Sequence, residues 1–506
     1  AFGCGTGLRI GAEWRVVHLA HPRAQTARIV GIHIASEPIR SLHVNLHDAP
    51  DLGLETVRAR ALTLYNRFLL KPACPAPLPA ELVALSLEGL RLRKVAASFR
   101  AQADIAHLSI QKCTEVDTTA LPRGLRTLNL EDARDVRLSD IDATDVALRR
   151  CTLRFSGGGS VRVRGLSIDW HRSKALALTR VADAFLGGDA RLQRLHVRGR
   201  TQIRSSGDRK RESTRAESVP KVGTLPQLED LALLECGSVR ELSDLLRCGS
   251  LPSLTQLSVI ARELADDFGE ALLRRHACSA SKRLKTLNMG GYLWTDARWK
   301  ATGTIVTWLR QARQLAGLRS VSLIGCKLPR DVARALNSMS ELRALRLDGA
   351  TFDERDEAPL AQLQLAHLHL LSLNECTGAG AQSVIARPAF KSLRTLSLEG
   401  GALLPQDGWR SWNDSPLWEH LQTLSLAGAA LVPDQMRHFL LALTQAKPPK
   451  LRELALSQAV VAPRDAASAA DLAHKLAKAV ASAPSLHLLL LQGLRVGDTN
   501  LASIVT

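Results

Sequence analysis

Ser392–Leu403 reads SLRTLSLEGGAL, and the spacing of its leucines decides the fold. Leu393, Leu396 and Leu398 stand as LxxLxL, a strand-like alternation that puts the leucines on one face and the intervening residues on the other. Leu403 resumes the apolar pattern after the turn. The phrase returns as LQTLSLAGAAL from Leu421, LRALRLDGATF from Leu342, LRSVSLIGCKL from Leu318 and LRTLNLEDARDV from Leu125. A fixed phrase recurring every few tens of residues marks a repeat architecture, in which each unit buries its apolar face against the next.

Copies of the phrase start at Ile39, Leu82, Ile105, Leu125, Leu148, Val163, Leu192, Leu228, Leu254, Leu284, Leu318, Leu342, Leu368, Leu393, Leu421, Leu451 and Leu486. Most lie about 20 to 36 residues apart, the length of a strand plus a returning segment. The chain is 45% hydrophobic but only 4% aromatic, so its core is aliphatic and chiefly leucine.

This pattern resembles the leucine-rich repeat superfamily, of the ribonuclease-inhibitor-like, cysteine-containing type with irregular repeats, over nearly everything after residue 38. The resemblance implies an α/β leucine-rich-repeat solenoid, with a parallel β-sheet on the concave side and helices or irregular returns on the convex side. In that family an Asn or Cys packs beneath the turn that ends the phrase; Cys113, Cys236, Cys326 and Cys376 hold that place here. The resemblance says little about function, because the fold carries many roles.

Four segments follow. Residues 1–38 lie outside the phrase, and Glu13–Leu19 with Ala27–Ala35 read as an N-terminal β-hairpin capping the array. Residues 39–200 carry short irregular repeats, and between Ile105 and Val163 the spacing leaves room only for an extended return or a single turn. Residues 201–224 form a basic insertion with almost no large apolar residue, which reads as a flexible loop. Residues 225–506 hold longer strand–helix repeats, whose returns ELADDFGEALLRRHA, LPRDVARALNSM, PDQMRHFLLALTQA and AASAADLAHKLAKAVASA have helical spacing. The last repeat carries no evident polar cap, so a partner or further chain is expected over its edge.

Catalytic patterns are missing: there is no GxxxxGK[ST], HExxH, GxSxG or CxxC. The 15 histidines are scattered and the 9 cysteines lack metal-ligand spacing, so no catalytic residue, metal or cofactor is expected, and no small-molecule substrate. No apolar run reaches membrane-span length. LPAEL at Leu78 resembles an F-box opening, yet Leu82, Leu85 and Leu87 already belong to the repeat. Gly3, Gly5 and Gly7 lack the setting of a dinucleotide loop.

Charge carries the functional reading. The formal net charge is +18, and Arg outnumbers Lys roughly threefold; the bias suits phosphate or carboxylate partners and equally the codon usage of a GC-rich genome. Between Leu148 and Arg215 seventeen Lys and Arg face five Asp and Glu. Arg149, Arg150, Arg154, Arg162, Arg164, Arg172, Arg194, Arg198, Arg200, Arg204, Arg209, Lys210 and Arg211 are the candidate RNA-binding residues, through phosphate contacts. A second candidate is the residue after the first leucine, often basic: Arg40, Arg126, Arg149, Arg164, Lys285, Arg319, Arg343, Arg394 and Arg452. Arg319, Arg343 and Arg394 on this strand face, with Trp409, Trp412 and Trp418 either as anchors or as filling of the convex layer, are the candidate protein-binding residues.

The expectation is a non-enzymatic scaffold in a large RNA-containing assembly, contacting RNA through the patch and other proteins through the array. Charge, Arg bias and a start at Ala1 without Met point to a mitochondrial location and a ribonucleoprotein such as the mitochondrial ribosome, with a cytoplasmic location as the alternative. The alternative function is a protein-recognition receptor, either a ubiquitin-ligase substrate adaptor or a secreted bacterial effector. GAGAQSVIA at Gly378–Ala386 bears a faint likeness to some effector repeats.

Overall fold

The computed structural model describes residues 16–19, 41–45, 59–65, 78, 81–92, 104–134, 136–138, 141–151, 153–155, 162–169, 192–198, 225–238, 242–243, 246, 251–263, 268–277, 283–290, 315, 317–328, 332–352, 360, 363–376, 390–400, 416–429, 431–459 and 466–493. The chain divides into two compact units: Ala1–Gly237 with Ser250–Ser253, and Ser238–Gly249 with Leu254–Thr506.

The first unit contains β1 (Val16–Leu19), β2 (Ser41–Asn45), β3 (Ala61–Tyr65), β4 (Ala84–Glu88), β5 (His107–Gln111), β6 (Leu125–Glu131), β7 (Val136–Leu138), β8 (Asp142–Arg149), β9 (Leu153–Phe155), β10 (Arg162–Asp169), β11 (Arg194–Arg198) and β12 (Asp230–Ser238). With β7 and β9 set aside as a separate short parallel pair, each strand pairs in parallel with the next, from β1 through β12.

The second unit contains β13 (Gln256–Glu263), β14 (Thr286–Gly290), β15 (Ser320–Ile324), β16 (Lys327–Leu328), β17 (Ala344–Arg346), β18 (Thr351–Phe352), β19 (Leu370–Ser372), β20 (Thr395–Ser397), β21 (Thr423–Ser425), β22 (Glu453–Ala455) and β23 (Leu488–Leu490). It repeats the plan from β13 to β23, with β16 and β18 as its own short pair. Sequential parallel strands require a return crossing between each pair. Each unit is therefore a leucine-rich-repeat solenoid.

The phrase explains the packing. Leu393, Leu396 and Leu398 are 0%, 3% and 1% exposed. Register stacks Leu345 on Leu371, Leu396, Leu424 and Leu454 in turn, so each repeat lays a leucine layer on the last. Full burial of one such side chain contributes roughly 1.5–3 kcal/mol.

Twelve of the phrases end in the same corner, one residue with positive φ; the copy from Leu254 instead runs on as strand through Glu263. Gly89, Lys112, Asp132, Arg150, Glu235, Gly325, Gly349, Glu375, Gly400, Gly428, Gln458 and Gly493 all hold it, with φ between 52° and 75°. Glycine adopts this geometry without strain, whereas an L side chain there costs roughly 1–2 kcal/mol. At Gly400 space also matters, since a Cβ would stand 2.8 Å from Glu375 Cγ.

The residue after the corner turns into the core. Cys113, Cys326 and Cys376 occupy it as the phrase predicts, and all three are buried free thiols. Cys151 holds it too, unrecognised in the sequence; the side chain of Cys236 lies outside the described residues. Cys376 Sγ donates to the Leu347 carbonyl at 2.9 Å and Cys151 Sγ to the Leu130 carbonyl at 3.2 Å. Burial raises both thiol pKa values, to about 12 and about 11.

Four further findings adjust the sequence reading. The phrase assigned to Leu148 starts instead at Ala143, because Ala143, Val146 and Leu148 are the inward residues of β8; an alanine in the first leucine position hid it. A copy built on Ala59, Leu62 and Leu64 was missed for the same reason. Strand β1 joins the ladder directly, parallel to β2, while Ala27–Ala35, the other half of the expected hairpin, lies outside the described residues. The insertion 201–224 also lies outside them, but Arg194 and Asp230 on its two sides are register partners, so the ladder continues across it.

Return segments follow the repeat length. All four predicted helices are found, at Phe268–Ala277, Val332–Asn337, Pro433–Ala446 and Ala466–Ala481. In the first unit the return after β5 is a single 3-10 turn, Thr118–Ala120, begun by Asp117 accepting from the Thr119 amide at 3.0 Å. Pro433 supplies the preset φ of a first helical residue, and Gln435 accepts from the Val432 amide at 3.0 Å. Arg437 of this helix pairs with Asp471 of Ala466–Ala481 at 2.8 Å.

Candidate functional site on the sheet face

In the second unit the first outward position of each repeat forms one unbroken column. The Arg319 amide donates to the Lys285 carbonyl at 2.8 Å, and the same bond joins Arg343 to Arg319, His369 to Arg343, Arg394 to His369, Gln422 to Arg394, Arg452 to Gln422 and His487 to Arg452. Lys285, Arg319, Arg343, Arg394 and Arg452 are exposed, and His369 is half-buried between two arginines. Adjacent strands stand about 4.8 Å apart, so these cations form a stripe. Lys450, His420 and Lys391 stand beside it, and among described residues Glu341 is the acid that pairs with a column arginine, meeting Arg319 at 3.3 Å. Burial, then Arg394, Arg343 and His367, holds the His369 pKa below the ordinary range, so its ring is neutral at pH 7.

Toward the far end of the strands the character reverses. Asp348 accepts from the Ser372 hydroxyl and from the Asn374 amide at 3.1 Å. Asn374 Oδ1 accepts from the Ser397 hydroxyl at 2.7 Å and the Glu399 amide at 2.8 Å, and Glu399 accepts from the Ser425 hydroxyl at 2.6 Å. This relay stitches neighbouring repeats together and makes a lip bearing Asp348, Glu375 and Glu399. It lies five residues along the strand from the cations, about 17 Å, beyond the Debye length at physiological salt. Between the two lips lie the hydroxyls of Thr395, Ser397, Thr423 and Ser425 together with Ala344, Leu370, Glu453 and the exposed Arg346.

The face of the first unit is different. Its first outward column runs Arg60, Val83, Ala106, Arg126, Thr144, Arg164, Gln193 and Glu229, so Arg126 and Arg164 stand on it as expected, and apart from Arg60 the remaining positions are neutral or acidic. Arg149 is not part of it; register sets it opposite Glu131 and Asp169 at the strand end, a consequence of the phrase starting at Ala143. Small side chains of β3 to β6, among them Ala61, Thr63, Ala84, Ser86 and Ser109, line a trough of about 200 Å³.

Among the described residues, three arginines of the basic patch are paired with carboxylates. Arg150 is bound by Asp132 at 2.7 Å and Glu131 at 2.6 Å, and Arg198 by Glu235 at 2.6 Å. Arg194 reaches across β10 to Asp145 at 2.7 Å. That crossing needs Gly165 beneath it, where a Cβ would lie 2.1 Å from Asp145 Oδ1. Exposed pairs of this kind stabilise by only about 0–1 kcal/mol, but they neutralise charge. Arg149, Arg162 and Arg164 are exposed, and the latter two line a notch of about 170 Å³ with Asp142 and Thr144. Arg154 stands in β9 with its side chain outside the described residues; Arg172, Arg200, Arg204, Arg209, Lys210 and Arg211 lie outside them altogether.

Among the tryptophans, Trp418 is 2% exposed in the 3-10 turn Pro416–Glu419. It fills the return layer and is a core residue, not a surface anchor. Trp409 and Trp412 lie outside the described residues.

His196 donates its Nε2–H to the Asp230 carboxylate at 2.8 Å, and that bond raises its pKa despite partial burial. A raised folded pKa stabilises below the unfolded value near 6.5 and is lost as pH rises through the folded value. Asp230→Asn is expected to return the His196 titration, followed by ring-proton NMR, toward 6.5; an unchanged titration would remove Asp230 as the cause.

Among the described residues no group of three or more His, Cys, Asp or Glu is placed to hold a metal, and no helix is long and apolar enough to cross a membrane. No sequence-family profile and no curated protein matches the chain. Solved structures with a similar course include three. An internalin from Listeria monocytogenes is 13% identical with a TM-score of 0.27, over 86% of this chain and 87% of that one. Human 5T4, the Wnt-activated inhibitory factor 1 or trophoblast glycoprotein, is 20% identical with a TM-score of 0.27, over 45% and 71%. A leucine-rich-repeat protein of Leptospira interrogans is 14% identical with a TM-score of 0.33, over 85% and 90%. The assignment of the fold rests on the strand register and the corner geometry, not on these likenesses.

Proposed function

We propose that this leucine-rich-repeat solenoid is a non-enzymatic scaffold that binds another protein on the sheet face of its second unit. The observation that supports this reading is the column from Lys285 to Arg452, in which exposed cations hold five of seven successive positions, interrupted by His369 and Gln422, and among the described residues Glu341 alone pairs into them. Leucines behind the strands hold the backbone spacing of the stripe rigid, so a partner orders the cationic side chains but not the strands that carry them. Charge so placed governs the choice of partner and the rate of encounter.

A photo-crosslinking side chain at Thr395, on this face, is expected to capture a protein from native extract, and Arg343→Glu with Arg394→Glu to abolish the adduct. The same probe at Leu441, 49% exposed on the helix Pro433–Ala446, serves as the comparison. Equal capture from both positions, or capture indifferent to the charge reversals, would overturn the reading.

A second reading is favoured by the notch at Arg162 and Arg164, with Arg149 exposed nearby in sequence. Under it the first unit contacts RNA phosphates within a larger assembly, such as a mitochondrial ribonucleoprotein. Its signature is RNA binding that falls steeply with salt and weakens on reversal of Arg149, Arg162 and Arg164; Arg150 is set aside because Glu131 and Asp132 already neutralise it.

A further inference from the structure

We infer that the partner segment on the second unit is an acidic polypeptide with an apolar residue at one end, the carboxylates lying on the cationic column and the apolar end on Leu488 and Leu490. This rests on the sheet-face reading above and names the chemistry of its partner.

The new observation is at β23. Leu488 and Leu490 are 41% and 47% exposed, although they belong to a core-forming sequence, LHLLLL. Register sets them opposite Glu453 and Ala455, in the outward columns that carry Thr423 and Ser425 on β21 and Thr395 and Ser397 on β20. They therefore project from the same face as those hydroxyls, and His487 of the cationic column precedes them directly. Leu370 lies in the same outward column but is only half-exposed, so the two exposed leucines beside the cationic column are the apolar anchor point, the arrangement in which a few buried contacts supply most of the binding energy.

The face suits a polypeptide better than a nucleic acid. Its outward positions between Lys285 and Gln492 hold no Phe, Tyr or Trp among the described residues, whereas single-stranded nucleic acids are held largely by stacking on aromatic rings. The lip of Asp348, Glu375 and Glu399 would repel a second strand of phosphates but accept basic side chains from a polypeptide. Eight ladder strands from β14 to β23 span about 34 Å, which an extended segment of about ten residues covers.

The test uses the full chain and three fluorescent probes: an Asp/Glu dodecapeptide with a terminal Trp, made with Trp at either end; the same peptide with Ser for Trp; and oligouridine of equal length. The Trp peptide is expected to bind about tenfold tighter than the Ser peptide in one of its two orders. Leu488→Ser with Leu490→Ser removes that advantage and leaves the Ser peptide unchanged, while Arg343→Glu with Arg394→Glu weakens both peptides at least tenfold. All four residues are exposed, so the variants keep the core. Equal affinities for Trp and Ser peptides, both sensitive to the arginine reversals, overturn the apolar anchor and leave the sheet-face reading standing. Peptide binding indifferent to the arginine reversals overturns both. Oligouridine bound more tightly than either peptide, and released by the reversals, overturns the polypeptide in favour of nucleic acid on this face.

Discussion

Leu424→Ala in β21 is expected to lower the unfolding free energy of the second unit by roughly 2–5 kcal/mol, while Thr423→Ala, one residue away, changes it by less than about 1 kcal/mol. Leu424 is fully buried and stacked between Leu396 and Leu454, so truncation leaves a cavity touching three successive layers. Thr423 lies on the opposite face of the same strand and loses only a hydroxyl bond to Glu453 at 3.3 Å. Because repeats couple to their neighbours, the damage should spread along the stack rather than stay at β21. Urea denaturation gives the cost, and amide exchange at Leu396 and Leu454 gives the spread. A Thr423 cost equal to that of Leu424 would mean the alternation has been assigned to the wrong face.

That contrast also marks what the sequence could and could not say. The phrase around Leu393 was legible because leucine recurs at fixed spacing, and it predicted the ladder, the inward residues and the helical returns. It failed wherever alanine stood in a leucine position: Ala59 hid one repeat and Ala143 shifted another by a strand length, which in turn misplaced Arg149. Alanine is apolar enough to be buried but too common elsewhere to mark a period.

The candidate site was legible only in part. Arg319, Arg343 and Arg394 could be grouped because the repeat fixes their register, and the structure joins them through His369 into one column. Counting charge in 148–215 could not reveal that Arg150, Arg194 and Arg198 meet carboxylates on other strands, since Asp145 lies 49 positions from Arg194. Trp418 was misread because a return segment gives no periodic signal to separate inside from outside. In LHLLLL the apolar run shows no alternation to read; only register shows that Leu488 and Leu490 face outward.

The corner thiols lead to the second large effect, a loss of stability in alkali that depends on Cys376. In the unfolded chain this thiol ionises near 9, whereas in the folded chain burial holds it protonated to about 12. Its proton is committed to the Leu347 carbonyl, and a thiolate there would face that carbonyl with no water to solvate it. Since the folded pKa is raised, the stabilisation is complete below about 9 and disappears progressively as pH rises toward 12. The displacement corresponds to about 4 kcal/mol in total, of which about 3 kcal/mol is lost by pH 11. Ala350, Ala429 and Ala459 fill the same corner in other repeats, so Cys376→Ala should fold and should flatten this dependence. Unfolding free energies of the parent and the variant, compared at pH 8 and pH 11, isolate the thiol, because every Lys, Tyr and Arg titration is common to both chains. Parallel alkaline slopes would show that Cys376 ionises as readily in the folded chain as in the unfolded one, and would remove it from the buried corner.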